Sequence, residues 1–221
     1  SNSSAGSNIW TTGSELYSIA QNKSKGRIID GKDANTYLGY TTAIVKSLNG
    51  DQYDDIVVGT MSSSRIFIIF GKPRSSAISP LFTNNLSVSN MVRIIGVDSF
   101  GSSISSGDYN RDGFTDLLVG SNAAQSGSYD GRAYLIWGGP GVWNESTTMY
   151  VSNMTSVGAS SVIVFKGEPS SYLGDSISNV GDVNLDGYED FLIGATQATV
   201  NSAPRAGRAY LIFGKPSSSW Y

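Results

Sequence analysis

A ten-residue stretch occurs twice in this chain. It reads Gly107-Asp108-Tyr109-Asn110-Arg111-Asp112-Gly113-Phe114-Thr115-Asp116 and returns seventy-four residues later as Gly181-Asp182-Val183-Asn184-Leu185-Asp186-Gly187-Tyr188-Glu189-Asp190. Counted from Asp108 or Asp182, oxygen side chains stand at positions one, three, five and nine, and Gly stands at position six, where a sharp turn is needed. That spacing suits a hard cation seeking six or more oxygens, as calcium does. Position seven is apolar in both copies, so only its backbone carbonyl would face an ion while the ring goes to the core.

The spacing also excludes the helix-loop-helix calcium hand, which needs a bidentate Glu at position twelve. Here that position holds Val119 or Ile193. The carboxylate comes three residues sooner, followed by Leu117-Leu118-Val119-Gly120 or Phe191-Leu192-Ile193-Gly194, short apolar runs closed by Gly that predict buried strands. The loop therefore joins strands. A solvated Asx turn would use the same residue types, but an unneutralised cluster of acidic groups in one tight loop repels itself.

The 221 residues are 39% hydrophobic, enough to bury a core as one all-β domain. Frequent Gly, Ser and Thr and scarce Pro suit short strands with tight turns. The formal charge of −3 comes with no basic run, which argues against nucleic acid as a partner. With no Cys and no His, disulfides, thiolate nucleophiles, imidazole bases and Cys/His zinc sites are excluded. Calcium would then be the available staple, and loops without a closing Glu bind weakly enough to need extracellular calcium levels. An extracellular, secreted or cell-surface location is expected. No apolar run approaches a membrane span. Sequons at Asn2, Asn22, Asn85, Asn144 and Asn153 allow glycosylation.

Other segments repeat around the acidic loop. Residues 1–26 are polar and read as an N-terminal arm. Arg27 to Gly31, Arg93 to Gly96 and Val162 to Gly167 read as equivalent outer strands, each followed by Leu38-Gly39, Phe100-Gly101 or Leu173-Gly174. A strand of small residues, the loop and the apolar strand come next. A third strand then closes each repeat: Ser64 to Gly71, Gly131 to Gly138 and Gly207 to Gly214, the last two differing at one position in eight. Four short strands per unit is the arithmetic of propeller blades, with repeats at about 32–96, 97–167 and 168–221. The third strands are apolar on both faces, as a blade between two neighbours requires and a half-solvated sandwich sheet does not.

These elements together resemble the FG-GAP repeats of integrin α-subunit propellers and related extracellular proteins, over about residues 27 to 216. The resemblance implies an all-β fold, a β-propeller of four-stranded antiparallel blades, about three of them in this chain. It implies calcium ligands at Asp108, Asn110, Asp112, Phe114 (carbonyl) and Asp116, and at Asp182, Asn184, Asp186, Tyr188 (carbonyl) and Asp190. Two departures stand out. Pro is missing from Gly59-Thr60-Met61, Gly120-Ser121-Asn122 and Gly194-Ala195-Thr196. The first loop aligns as Ser47, Asn49, Asp51, Tyr53 and Asp55 with Gln52 in place of Gly, one carboxylate and one permissive turn residue short, which makes a third calcium site doubtful there.

Three blades cannot close a propeller, and open edges favour pairing with another chain. Since the last repeat lacks an outer strand, two expectations follow: the chain is part of a larger propeller, or it self-associates or is completed by another chain. The leading functional expectation is a non-enzymatic calcium-binding module for adhesion to, or recognition of, a protein or glycan, with Trp143, Tyr129 and Tyr150 as ligand-facing candidates, though linker packing explains them as well. The second is a structural subunit of a filament or coat, making lateral contacts through the arm and Trp220-Tyr221. An enzyme with paired carboxylates would draw on Asp98, Asp175 and Glu168, but solvated loop charges account for these more simply.

Overall fold

In the computed structural model the described residues are 29–31, 34–73, 91–123, 129–143, 147–156 and 162–220. The strands are β1 (Leu38–Lys46), β2 (Asp54–Thr60), β3 (Arg65–Ile69), β4 (Met91–Ile95), β5 (Phe100–Gly107), β6 (Asp116–Ser121), β7 (Arg132–Ile136), β8 (Thr148–Tyr150), β9 (Val162–Lys166), β10 (Leu173–Gly181), β11 (Asp190–Ala195) and β12 (Arg208–Ile212). One short helix, α1 (Val151–Ser156), and a 3-10 turn at Ser217–Ser219 complete the described elements. The fold is all-β.

The strands form three sheets in chain order: β1-β2-β3-β4 with β8 on the outside, β5-β6-β7-β9, and β10-β11-β12. Within each, neighbours pair antiparallel, except that β8 adds to β4 in parallel. The first sheet thus departs from the expected four antiparallel strands, because the connection after β7 turns back and lays Thr148 to Tyr150 along Arg93 to Ile95. Arg27 and Ile28 fall outside the described residues, and Ile29 to Gly31 form no ladder, so the strand expected at 27–31 is not found in its described part.

The cores lie between sheets. Val57, Ile66, Ile68 and Phe70 of the first sheet pack with Leu117, Val119, Tyr134 and Ile136 of the second. Leu118, Leu135 and Trp137 on the second sheet's other face pack with Phe191 and Ile193 of the third. A sheet buried on both faces has no reason to alternate, and β6 is buried at every position. Each fully buried Leu or Ile contributes roughly 1.5–3 kcal/mol by leaving water.

Small residues belong where the sheets approach one another. The Thr41 hydroxyl of β1 donates to the Gly101 carbonyl over 2.7 Å, and the Ser103 hydroxyl of β5 donates to the Gly174 carbonyl over 2.7 Å. A Cβ on Gly120 would come within 2.1 Å of both Ser103 Oγ and the Gly174 carbonyl oxygen. Gly follows the apolar run because the next sheet's backbone fills the space a side chain would take.

Candidate metal-binding loops

The two acidic loops have one hydrogen-bond pattern. In the second sheet, Asp108 accepts the N–H groups of Asp112 (3.1 Å) and Gly113 (3.0 Å). Asn110 Oδ1 accepts the Asp112 N–H (3.0 Å), and Asp112 Oδ1 accepts the Phe114 N–H (2.9 Å). In the third sheet Asp182 accepts from Asp186 (3.0 Å) and Gly187 (2.8 Å), Asn184 from Asp186 (3.1 Å), and Asp186 from Tyr188 (2.9 Å). Left-handed backbone at positions four and six makes the wrap possible: φ is +58° at Arg111 and +87° at Gly113, +61° at Leu185 and +93° at Gly187.

The position-nine carboxylates differ from the rest. Asp116 and Asp190 are fully buried. Asp116 Oδ2 accepts the Tyr109 N–H over 3.0 Å and its Oδ1 the Gly138 N–H over 2.9 Å, and Asp190 does the same with Val183 and Gly214, both at 2.9 Å. Each ties its loop to the end of the third strand of its own sheet. Burial, foremost, pushes the Asp116 carboxyl up to about 8 and raises Asp108 as well, with neighbouring carboxylates adding in the same direction.

The first loop keeps part of this design. Asp55, also buried, accepts from Leu48 and Gly71 at 2.9 Å each, and Asp51 Oδ1 accepts from Tyr53 at 2.7 Å. Gly50 supplies the left-handed turn at position four (φ +83°), but Gln52 does not supply one at position six. Ser47 at position one instead donates its hydroxyl to the Asp51 carbonyl.

As placed, no three acidic side chains among the described residues converge to enclose an ion. The donor chemistry of the two complete loops nevertheless fits a hard cation: three carboxylates and an amide oxygen each, with no sulfur or nitrogen ligand. Each carboxylate oxygen that accepts one N–H keeps a lone pair free. The rings of Phe114 and Tyr188 are half-buried, not in the core as expected. Position two takes the core instead, with Leu48 and Tyr109 both fully buried. Neither this role nor the Gly71, Gly138 and Gly214 clamp was read from the sequence, although an apolar residue at position two and a Gly ending each third strand recur in all three repeats.

The remaining candidates disperse. Trp143 packs in the first core. Tyr129 stacks on Tyr172 with ring centroids 5.3 Å apart. Tyr150 lies at a cleft of about 530 Å³ between the first two sheets, with Arg132, Tyr134 and Lys166 also on its walls. Trp220 was expected at a lateral contact but stacks on Phe191 (6.2 Å) and meets Trp137 and Phe165 edge-on, filling the gap between the second and third sheets. Tyr221 and residues 1–26 lie outside the described residues, as do Asn2, Asn22, Asn85 and Asn144; Asn153 is exposed on α1. Asp98 pairs with Arg132 (3.5 Å), Asp175 accepts from Asn122 and Thr196 (2.8 Å each), and Glu168 pairs with Arg208. Each of the three carboxylates is thus engaged by a different partner.

Three stacked, mainly antiparallel sheets, each built around such a loop and joined by Gly-mediated contacts, define a β-propeller-type repeat protein. The FG-GAP repeat family matches residues 100–136 and 173–212. Integrin alpha-PS2 of Drosophila melanogaster is 28% identical over 192 residues, 82% of this chain and 12% of that protein. Integrin alpha-6 of Gallus gallus is 28% identical over 172 residues (73% and 14%), and integrin alpha-5 of Xenopus laevis 25% over 182 residues (82% and 16%). The chain thus carries FG-GAP repeats at residues 100–136 and 173–212 and is similar to integrin α-subunits, and it spans between 12% and 16% of the length of these relatives.

Proposed function

We propose that this chain is a calcium-binding, extracellular FG-GAP module that serves adhesion or recognition of a protein or glycan without catalysing a reaction. Its repeats run from about 32–96, 97–167 and 168–221. Calcium is held in two loops, by Asp108, Asn110, Asp112, the Phe114 carbonyl and Asp116, and by Asp182, Asn184, Asp186, the Tyr188 carbonyl and Asp190. The observation that carries this reading is the group-for-group identity of the two loops, each gathering three carboxylates, with burial already disfavouring the charge at Asp108 and Asp116. A divalent cation relieves that cost, and two would move the formal charge from −3 to about +1. The first loop, with Asn49, Asp51 and Asp55 but no carboxylate at position one, stays empty.

Adhesion and an extracellular or cell-surface location come from the likeness to integrin α-subunits. Among the described residues no helix is long and apolar enough to cross a membrane. Asn153 is the described sequon a glycan could reach. Completion by another chain accompanies this reading, and a structural subunit of an assembly is favoured as the second reading by the apolar residues that the first and third sheets expose. The test is a calorimetric calcium titration of the chelator-treated chain. Two ions per chain are expected, one after Asp182→Ala with Asp186→Ala; an absence of binding heat refutes the proposal.

A further inference from the structure

The first three positions of the second loop are held from the third repeat. Glu189 Oε2 accepts the Asp108 N–H over 3.1 Å, the Lys215 N–H donates to the Tyr109 carbonyl over 3.0 Å, and Asn110 Nδ2 donates to Ser217 Oγ over 3.0 Å. The middle bond has a counterpart between the first two repeats, where the Gly139 N–H donates to the Leu48 carbonyl over 3.1 Å. The Glu189 bond is an addition to that pattern. Position eight holds Asp54, Thr115 and Glu189 in the three loops, and the last has the longest side chain.

The backbone is shaped to deliver that carboxylate. Asn179 Nδ2 donates to Glu189 Oε2 over 2.7 Å and to the Ser106 carbonyl over 3.0 Å. Its N–H donates to Ser105 Oγ over 2.8 Å, and its Oδ1 accepts the Gly181 N–H over 2.9 Å. The register of β10 shifts between Asn179 and Gly181, whereas β1 and β5 keep register over the corresponding residues. A bulge of this kind re-aims a side chain out of its strand's regular alternation. On the other side Gly107 leaves room for the pair: a Cβ there would come within 2.5 Å of Glu189 Oε2 and 2.8 Å of Asn179 Nδ2. Two half-buried side chains of the third repeat thus close on the residues that open the second loop.

We propose, resting on the calcium reading of both loops, that Glu189 is a positioning residue for the ion site of the second loop and couples that site to the third loop. Asp108 stands at position one, so a bond to its N–H fixes the backbone from which its carboxylate reaches an ion. Less of the loop is then left to be ordered on binding, and preorganisation of that kind raises affinity. Glu189 itself lies between Tyr188 and Asp190, which supply a carbonyl and a carboxylate to the third loop's ion. An ion there holds the strap on both sides and raises the affinity of the second loop. By linkage, an ion in the second loop raises the affinity of the third by the same factor.

Calcium titration of the full chain followed by amide NMR tests the proposal, because the Gly113 and Gly187 N–H groups donate to Asp108 and Asp182 and report the two loops separately. Glu189→Ala should weaken calcium at the second loop by about tenfold, and Glu189→Gln, which keeps an oxygen acceptor, should recover most of that loss. Silencing the third loop with Asp182→Ala and Asp186→Ala should weaken the second by about fivefold, and by much less when Glu189→Ala is already present. Amide exchange in the calcium-free chain gives a readout without ions. There Glu189→Ala should speed exchange of the Asp108 N–H by about tenfold or more and leave the Val183 N–H, held by Asp190, unchanged. Wild-type affinity in Glu189→Ala, or an equal loss in Glu189→Gln, where charge alone would be acting, overturns the proposal and leaves the calcium reading standing. So does an unchanged Asp108 exchange rate. A wild-type chain in which neither glycine responds to calcium refutes the calcium reading, and this proposal with it.

Discussion

The Gly138 N–H donates to Asp116 Oδ1 over 2.9 Å, across twenty-two residues of sequence and at a site closed to solvent. Asp116 Oδ2 takes the Tyr109 N–H in the same way, so one carboxylate fixes a loop to the strand end beside it. Gly71 and Asp55, and Gly214 and Asp190, repeat the bond at 2.9 Å. The position-nine acid is therefore a structural strut whether or not its loop holds an ion.

Asp116→Ala leaves two backbone N–H groups buried without acceptors, each costing about 1–3 kcal/mol. A loss of roughly 2–5 kcal/mol is expected, seen in urea unfolding followed by circular dichroism. Asp55→Ala should cost a similar amount, although its loop lacks a carboxylate at position one. Should Asp55→Ala prove neutral, the strut account fails.

The glycines give a sharper contrast. Gly120→Ala drives a Cβ into the Gly174 carbonyl at 2.1 Å, a backbone clash, whereas Gly194→Ala meets chiefly the Ser176 hydroxyl at 2.3 Å, which can rotate away. The first substitution should cost about 3 kcal/mol or more and the second about 1 kcal/mol or less in the same unfolding assay. Equal costs would contradict the packing of one sheet's backbone on the next.

The repeat unit was legible because its marks are local. Gly113, Gly187 and the apolar runs after Asp116 and Asp190 announce a turn and a buried strand within a few residues. What could not be read depended on distant partners. Tyr109 and Val183 occupy the same loop position, yet one is in the core and the other half exposed, because among the described residues only Tyr109 has another sheet beyond it. Phe114 and Tyr188 looked like core residues by type, but the turn directs them to the half-buried loop surface. Trp220 is near the end of the sequence and so read as peripheral, although a 3-10 turn folds it onto Phe191. The short parallel strand β8 has no marker in Thr148-Met149-Tyr150 beyond β-compatible residues.

Calcium and protons should compete. With Asp116 pushed up to about 8 in the metal-free chain, the folded state holds that proton more tightly than the unfolded state does. Its contribution to stability is therefore full below the unfolded value near 4 and lost as pH rises through about 8. A bound cation favours the ionised form, so the calcium-induced rise in Tm should be larger at about pH 8 than at about pH 5. Thermal scans with calcium and with chelator at both pH values check this; a rise that shrinks with pH would contradict it.

Arg111 places its guanidinium against Gly187, 2.5 Å from where a Cβ there would sit, so a fixed positive charge leans on the neighbouring acidic loop. Arg111→Ala should tighten calcium at the Asp182 to Asp190 loop by a few-fold, an effect that salt weakens. Calorimetry of this variant in a background of Asp108→Ala, which silences the other loop, isolates the change. Weaker binding would show that Arg111 supports the loop rather than opposing the ion.

The central claim is that two loops of identical pattern each take one hard cation while the third takes none. A structure determined from crystals grown in calcium, with anomalous difference maps, tests it most directly. The account predicts one peak inside Asp108 to Asp116, a second inside Asp182 to Asp190 and none inside Ser47 to Asp55. Bare loops in the first two places, or a peak only in the third, would contradict it.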